Sequence, residues 1–174
     1  VEVDVAEKGF PGLMIVGLPD KAIGESKERV KKAIQNSGAS FPDKKITVNL
    51  APADLPKEGS NYDLPIAVGI MMASEEMECD QQAVENAYFY GELGLDGSLK
   101  HSKGVLLTAM LARERGIKSI FVSVLCANEA AVVSGINVYP VRELAQLFPH
   151  LRGVVSGVDE ITPLTHIELL PILV

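Results

Sequence analysis

Residues 46–77 read ITVNLAPADLPKEGSNYDLPIAVGIMMASEEM and contain, in order, a strand pattern, a loop pattern and an apolar helix pattern. The β-branched residues of Ile46–Leu50 favour a short strand, and the prolines and glycine of Ala51–Tyr62 mark a loop. The segment Asp63–Met77 predicts a buried helix, because Pro65 falls in its first turn, where proline is tolerated. A strand joined through a loop to a buried helix is typical of a mixed α/β domain.

The segments on either side continue this alternation. Val1–Val5 alternates valine with acidic residues, which predicts a strand with one buried face, and Leu13–Gly17 predicts a second strand. Asp20 can cap a helix that runs to about Ser37 and ends at Gly38. Further along, the patterns predict strands at Tyr88–Leu95 and Ser98–Lys100 joined by an Asp96-Gly97 hairpin turn, helix Val105–Arg115, strand Ser119–Val122, helix Asn128–Val133, strand Ile136–Pro140 and helix Val141–Phe148. The predicted class is α/β of the α+β type, with a mixed sheet, flanking helices and one hairpin.

Composition narrows the class of protein. The chain has 174 residues, 16 basic and 23 acidic, and a net charge of −7, which argues against a dedicated nucleic-acid coat. With 47% apolar residues it can bury a core, and no apolar run approaches the ~18 residues of a membrane span. Val1–Val5 does not resemble a secretory signal. The chain lacks an initiator methionine and ends on the apolar residues 169–174, so we expect a piece of a longer protein.

Sequence motifs for the common catalytic sites are missing. No Walker A motif occurs, and the glycines at 91, 94 and 97 fit a hairpin rather than a dinucleotide-binding loop. The three histidines are scattered without metal-ligand spacing, so no metal site is predicted. Two cysteines, Cys79 and Cys126, are too few for a disulfide framework, and Cys126 follows an apolar strand, which favours a small core residue over a nucleophile.

The predicted helix is locally basic between Lys21 and Ser37, with five cations against two anions. Its period places Val30 and Ala33 on one face and Arg29 and Lys32 on the opposite one. Two interpretations stay open. The helix is either a solvated face held by pairs such as Glu25–Arg29 and Glu28–Lys32, or a contact for DNA phosphates or a partner protein. The candidate contact residues are Lys27, Arg29, Lys31 and Lys32.

Three segments together resemble a known family. They are 15–20 with 25–30 (IVGLPD and ESKERV), 46–54 with 57–60 and 63–67 (ITVNLAPAD, KEGS and DLPIA), and 91–97 (GELGLDG). From about Val1 to Leu151 the chain is similar to the N-terminal domain of the ComM/YifB proteins, bacterial Mg-chelatase-like AAA+ ATPases. The resemblance implies a Lon-protease-like fold, shared with the C-terminal domain of RadA and with domain 2 of a small-subunit ribosomal protein.

The resemblance also locates the two positions that carry the Ser-Lys dyad in Lon peptidases. The nucleophile lies in an Asp-Gly-Pro-Ser-Ala run, which corresponds here to residues 63–67 and places Ile66 at the serine. The lysine position corresponds to Thr108. Neither side chain can supply the chemistry of a nucleophile activated by an amine, so no catalytic residue is predicted. Ser60 and Lys103 lie near these elements in sequence, but a serine bonded to backbone in a turn is the favoured interpretation of Ser60.

For function, the resemblance implies a non-catalytic N-terminal module of a DNA-processing ATPase linked to branch migration and natural transformation. The module would act in ring assembly or in DNA handling. Residues 1–151 would form the domain, and 152–174 a tail or linker toward an AAA+ module, which would bind ATP and Mg²⁺. Partners would be that module, neighbouring subunits of a hexameric ring and DNA, in the cytoplasm, with no membrane. The alternatives are an assembly module without DNA contact and a Lon-type peptidase.

Overall fold

The computed structural model describes residues 1–17, 20–51, 60–74, 77–153 and 161–167, and the side chains of 20–23 and 83 are not described. Within those residues it contains strands β1 Glu2–Ala6, β2 Gly12–Val16, β3 Lys45–Asn49, β4 Ala87–Tyr90, β5 Ser119–Ser123 and β6 Asn137–Val141. The α-helices are α1 Asp20–Asn36, α2 Asp63–Ala73, α3 Val105–Glu114, α4 Ala127–Ala130 and α5 Leu147–Leu151, with 3₁₀ helices at Gln81–Val84 and Leu144–Gln146. The mixed α/β class is confirmed.

The first sheet has the strand order β1-β3-β2 and is mixed, since β1 runs antiparallel and β2 parallel to β3. Strand alternation sends Ile15, Ile46 and Val48 to one face, where all three are buried. That face packs on α1 and α2, which contribute Ile34 and Ile70 to the same core. The opposite face carries polar residues of β1 and β3 in intermediate or exposed positions.

The second sheet, β4-β5-β6, is parallel throughout. Helices α3 and α4 connect its strands and pack on one face against Ile120 and Val122 of β5. Phe121 points to the other face, where it joins the core shared with the first sheet. The predicted mixed sheet is β1-β3-β2, and the parallel strands β4, β5 and β6 form a second small sheet that shares a core with it.

The Asp96-Gly97 turn forms as predicted, although its flanking strands are much shorter than expected. Strand β4 ends at Tyr90, and the hairpin is held by a single antiparallel bridge between Leu93 and Leu99. Gly97 has φ +85°, a conformation that favours glycine. Its carbonyl accepts from the Leu144 amide, which fixes the hairpin tip against the 3₁₀ helix at 144–146.

Two helix boundaries differ from the prediction. Helix α2 ends at Ala73 rather than Met77, because Ser74 takes an extended conformation; residues 75–76 lie outside the described part. Pro140 lies in a strand as predicted, but Val141 also belongs to β6, and the last helix begins only at Leu147. Within the second sheet β6 is an edge strand, where proline is tolerated. Residues 52–59 of the predicted loop also lie outside the described part of the chain.

Residues 161–167 lie against the second sheet. Leu164 forms an antiparallel bridge with Val138 of β6, and its amide donates to the Val138 carbonyl over 2.8 Å. The Ala131 carbonyl accepts from the Ile167 amide and lies 2.9 Å from His166 Nδ1. The division at 151/152 stays a prediction, but this part of the predicted tail contacts the domain. Among the described residues, no helix has the length and apolarity needed to cross a membrane.

Candidate functional site

A buried carboxylate joins α1, α2 and the hairpin. Asp63, in the first turn of α2, is 1% exposed. It accepts a hydrogen bond from Ser26 Oγ at 2.8 Å and from Arg29 Nε at 2.6 Å, both on α1. Longer contacts come from Arg29 Nη2 and from the Leu93 amide, each at 3.4 Å. The carboxylate thus has partners on three elements that are far apart in sequence.

Burial and ion pairing shift the pKa values of Asp63 and Arg29 in opposite directions. Burial raises the pKa of Asp63 above its ordinary value, and the hydrogen bonds from Arg29, Ser26 and Leu93 offset part of the rise. Partial burial lowers the pKa of Arg29, but the hydrogen bond and the charge of Asp63 outweigh it, so that pKa is raised overall. The charge of Glu92 acts on Arg29 in the same direction. Asp63 and Arg29 thus form an ion pair whose hydrogen bonds offset part of the desolvation of the carboxylate.

This geometry corrects the predicted position of Arg29. The side chain is 21% exposed and turns toward Asp63, so it does not lie on the face opposite Val30. The predicted pair with Glu25 is present at 3.7 Å, while Glu28 and Lys32, both described, form no ion pair. The charge of Arg29 is thus neutralised by carboxylates, which gives this residue a structural role.

The other three candidates lie on the outer side of α1. Lys31 and Lys32 are exposed and Lys27 is half-buried at the edge of the packed surface. With 3.6 residues per turn they fall on neighbouring positions of one broad surface, which also carries Glu28. We call Lys27, Lys31 and Lys32 the cationic face.

A groove of about 230 Å³ borders the cationic face between α1, the start of β2 and the loop before β3. Lys31 and Gln35 line it from α1, and Phe41 and Asp43 from the loop. The Lys31 ammonium lies 5.8 Å from the centre of the Phe41 ring, within the range of a cation–π contact. One cation of the face is therefore placed beside an aromatic ring at the mouth of a groove.

The structure places Ile66 in the core and Thr108 in the first turn of α3. Ile66 is fully buried in the core. Thr108 Oγ1 donates to the Gly104 carbonyl at 3.0 Å, in the manner of a helical threonine that bonds back to the preceding turn. Burial raises the pKa of the nearby Tyr90 phenol, and a hydrogen bond with Thr108 offsets part of this.

Ser60 and Lys103 are held by other groups. Ser60 Oγ donates to a carboxylate oxygen of Glu92, so the expectation that this hydroxyl bonds to backbone is wrong. The phenol of Tyr90 accepts from Asn61 at 2.9 Å and donates to the Lys103 carbonyl at 2.7 Å. These contacts order the entrance to α2 and α3, but they do not pair a serine with an amine.

We expect a fluorophosphonate probe to leave Ser60 unlabelled. Its hydroxyl donates to Glu92, and a carboxylate is a weaker base than the lysine amine of a Ser-Lys dyad. Intact-mass spectrometry after incubation with the probe is the measurement, with an active serine hydrolase in the same tube as a positive control. A covalent adduct on Ser60 that is lost in Ser60→Ala would contradict the non-catalytic interpretation.

Among the residues that the structure describes, no three His, Cys, Asp or Glu side chains gather as a metal site. Cys126 is buried in the core beside α4, as predicted. Neither it nor Cys79 is in a disulfide.

Comparison with known proteins identifies the family. A family model described as subunit ChlI of Mg-chelatase matches residues 1–125. The chain belongs to the Mg-chelatase-like ComM/YifB family. It is 41% identical to the competence protein ComM of Haemophilus influenzae over 153 residues, which cover 88% of this chain and 29% of that protein.

Two further relatives have the name YifB. The protein of Salmonella typhimurium is 42% identical over 153 residues, which cover 88% of this chain and 29% of that protein. The protein of Escherichia coli is 48% identical over 120 residues, which cover 69% of this chain and 23% of that protein. The chain thus spans less than a third of the length of these ComM/YifB relatives.

Sequence reasoning missed the network around Asp63. The available signal was that Asp63 is the only charged residue in the otherwise apolar segment 63–73 and that a basic helix precedes it. An acid on a buried helix requires a cationic or hydrogen-bonding partner. That rule predicts a cation close to Asp63, but it does not identify which cation of the basic helix pairs with the carboxylate.

Proposed function

We propose that this chain is a non-catalytic N-terminal module of a bacterial Mg-chelatase-like AAA+ ATPase, and that it contacts DNA phosphates through the cationic face. Family membership supports the ATPase context, and the name of the Haemophilus influenzae relative links one member to competence. Lys27, Lys31 and Lys32 are the contact residues. The resemblance to Lon-like domains supplies the proposed fold family.

The observation that carries the proposal is the division of the described α1 cations into two groups. Arg29 is held by Asp63 and Glu25, and its contact with Asp63 fixes α1 against α2. Lys31 and Lys32 point to solvent on the other side of the same helix. A rigid helix with outward lysines can meet the phosphates of a duplex without a conformational change in the protein. Phe41 beside Lys31 adds a surface on which an unpaired base can stack.

For the whole protein we propose the activity of a ring ATPase that processes DNA. A module outside this chain would bind ATP and Mg²⁺ and hydrolyse the nucleotide, with subunits assembled as a hexamer. Branch migration during natural transformation in the cytoplasm is the proposed context. The chain itself would hold DNA near the ring.

Charge reversal at Lys27, Lys31 and Lys32 tests the DNA contact. Three Lys→Glu changes are expected to weaken binding to a 30-base-pair duplex at low salt by at least about 30-fold. They should also reduce the slope of log affinity against log salt by about 3, because about one counterion is released per neutralised phosphate. Arg29 stays unchanged so that its contact with Asp63 is kept. Fluorescence anisotropy across a salt series gives both quantities.

The matched control reverses Arg113, Arg115 and Lys118, which are exposed near the end of α3. It changes the net charge by the same amount at another surface, so affinity should fall by no more than about threefold. Equal losses in both variants would show that overall charge decides binding. Absence of DNA binding by the unmodified chain at low salt would overturn the proposal.

A second candidate is an assembly module without DNA contact. The observation that favours it is a group of large apolar side chains exposed on α3, described below. Exposed contiguous apolar surface is a mark of protein–protein contact. Its test is the self-association experiment in the next subsection.

A further inference from the structure

Helix α3 has one buried and one exposed apolar side. Val105, Ala109 and Ala112 are buried, and the first two pack in the core of the second sheet. The outer side carries four large apolar residues with exposures from 38% to 69%: Leu106, Leu107, Met110 and Leu111. Their spacing along the helix places them together, and we call these four the α3 face. Most surface helices carry polar residues on this side, so the pattern requires an explanation.

The α3 face has opposite charges at its two ends. Lys103 lies just before the helix, Glu114 is its last residue, and both are exposed. Leu107 and Met110 lie between these two charges, while the N-cap residue Gly104, with φ +80°, separates Lys103 from the helical repeat. A cation therefore precedes the start of the helix, and an anion lies at its end.

We propose that the α3 face pairs with the α3 face of a second copy of this chain, with the two helices antiparallel across a twofold axis. Lys103 then meets Glu114 of the second copy, Leu107 meets Met110, and Leu106 meets Leu111. An isologous contact requires such self-complementarity, and antiparallel helices also place opposite ends of their dipoles together. The proposal deepens the assembly candidate and does not depend on DNA contact.

The size of the face sets the strength of the pairing. Four partly exposed side chains provide a few hundred Å² per copy, less than the roughly 800 Å² per partner of a stable complex. The dimer is therefore weak, with a dissociation constant of about 10–500 µM. Concentration-dependent association in this range is the expected signature.

Sedimentation equilibrium of the 174-residue chain from about 5 to 500 µM measures the association. Leu107→Lys is expected to raise the dissociation constant at least about tenfold, because it places two ammonium groups in the apolar centre of the contact. Leu95→Lys is the matched control: Leu95 is 55% exposed on the hairpin, so the same change there should leave the constant within about twofold. Circular dichroism melts establish that both variants fold.

A charge exchange tests the orientation. Lys103→Glu or Glu114→Lys alone is expected to weaken association about fivefold, since each creates two like-charge contacts, and the double variant should return it to within about twofold. A chain that stays monomeric at 500 µM overturns the proposal and assigns the α3 face to another partner. Failure of the double variant to recover overturns the antiparallel pairing. Because the cationic face is unchanged in every variant, loss of dimerisation and loss of DNA binding are separate results.

Discussion

Asp63→Asn is expected to lower the free energy of unfolding by about 3–5 kcal/mol, because it removes the buried carboxylate that pairs with Arg29 and leaves the guanidinium with the more distant, exposed Glu25 as its ion-pair partner. The wild-type carboxylate takes the short bond from Arg29 Nε and the bond from Ser26 Oγ, and an amide offers one acceptor oxygen to both donors. Urea denaturation followed by circular dichroism measures the change, and a shift of the midpoint at constant slope identifies it as a loss of stability.

Two variants make the interpretation of Asp63→Asn specific. Glu25→Gln removes the exposed partner of the same arginine, whose contact spans 3.7 Å, and should cost no more than about 0.5 kcal/mol. Asp63→Leu combined with Arg29→Met removes both charges and should recover most of the loss, as buried pairs often tolerate apolar replacement. A single Asp63→Asn change that costs less than about 1 kcal/mol would contradict the role assigned to the pair.

The case of Arg29 shows where sequence periodicity stops being informative. The 3.6-residue period correctly placed Val30 and Ala33 in the core. It assigned Arg29 to solvent because it considers one helix alone. The residue that decides its position is Asp63, 34 positions away in sequence, and a long arginine at the edge of a buried face can turn toward such a partner.

The strands also show that local sequence patterns predict elements but not how the elements assemble. The elements β1, β2, β3 and β5 were predictable because alternation and β-branched content are local properties. Their division into two sheets depends on which edges meet across the domain, and local patterns do not encode that choice. The absence of a Ser-Lys dyad stays a prediction, and its two positions, Ile66 and Thr108, were predictable from the resemblance. The Ser60–Glu92 contact was not, because it joins residues 32 positions apart.

Among the core residues of the second sheet, Phe121 of β5 is expected to cause the largest loss of folding stability when it is truncated. It is fully buried and stacks on Phe89 and Tyr139, with ring centres 4.8 and 4.6 Å apart, while the ring of His150 on α5 lies 4.7 Å away. Its neighbours Ile120 and Val122 face the core beneath α3 and α4, whereas Phe121 belongs to the core that also contains Ile46 of the first sheet. This side chain therefore joins the two sheets into one unit.

Phe121→Ala should lower the free energy of unfolding by about 3–5 kcal/mol, since a large cavity opens and the ring contacts are lost. Leu107→Ala, at a position 69% exposed, should cost no more than about 0.5 kcal/mol and serves as the control. Because the core is shared, hydrogen exchange should show amides of β3 and β5 losing protection together in Phe121→Ala. Loss of protection in β5 alone, with β3 unchanged, would show that the two sheets unfold independently and that Phe121 does not couple them.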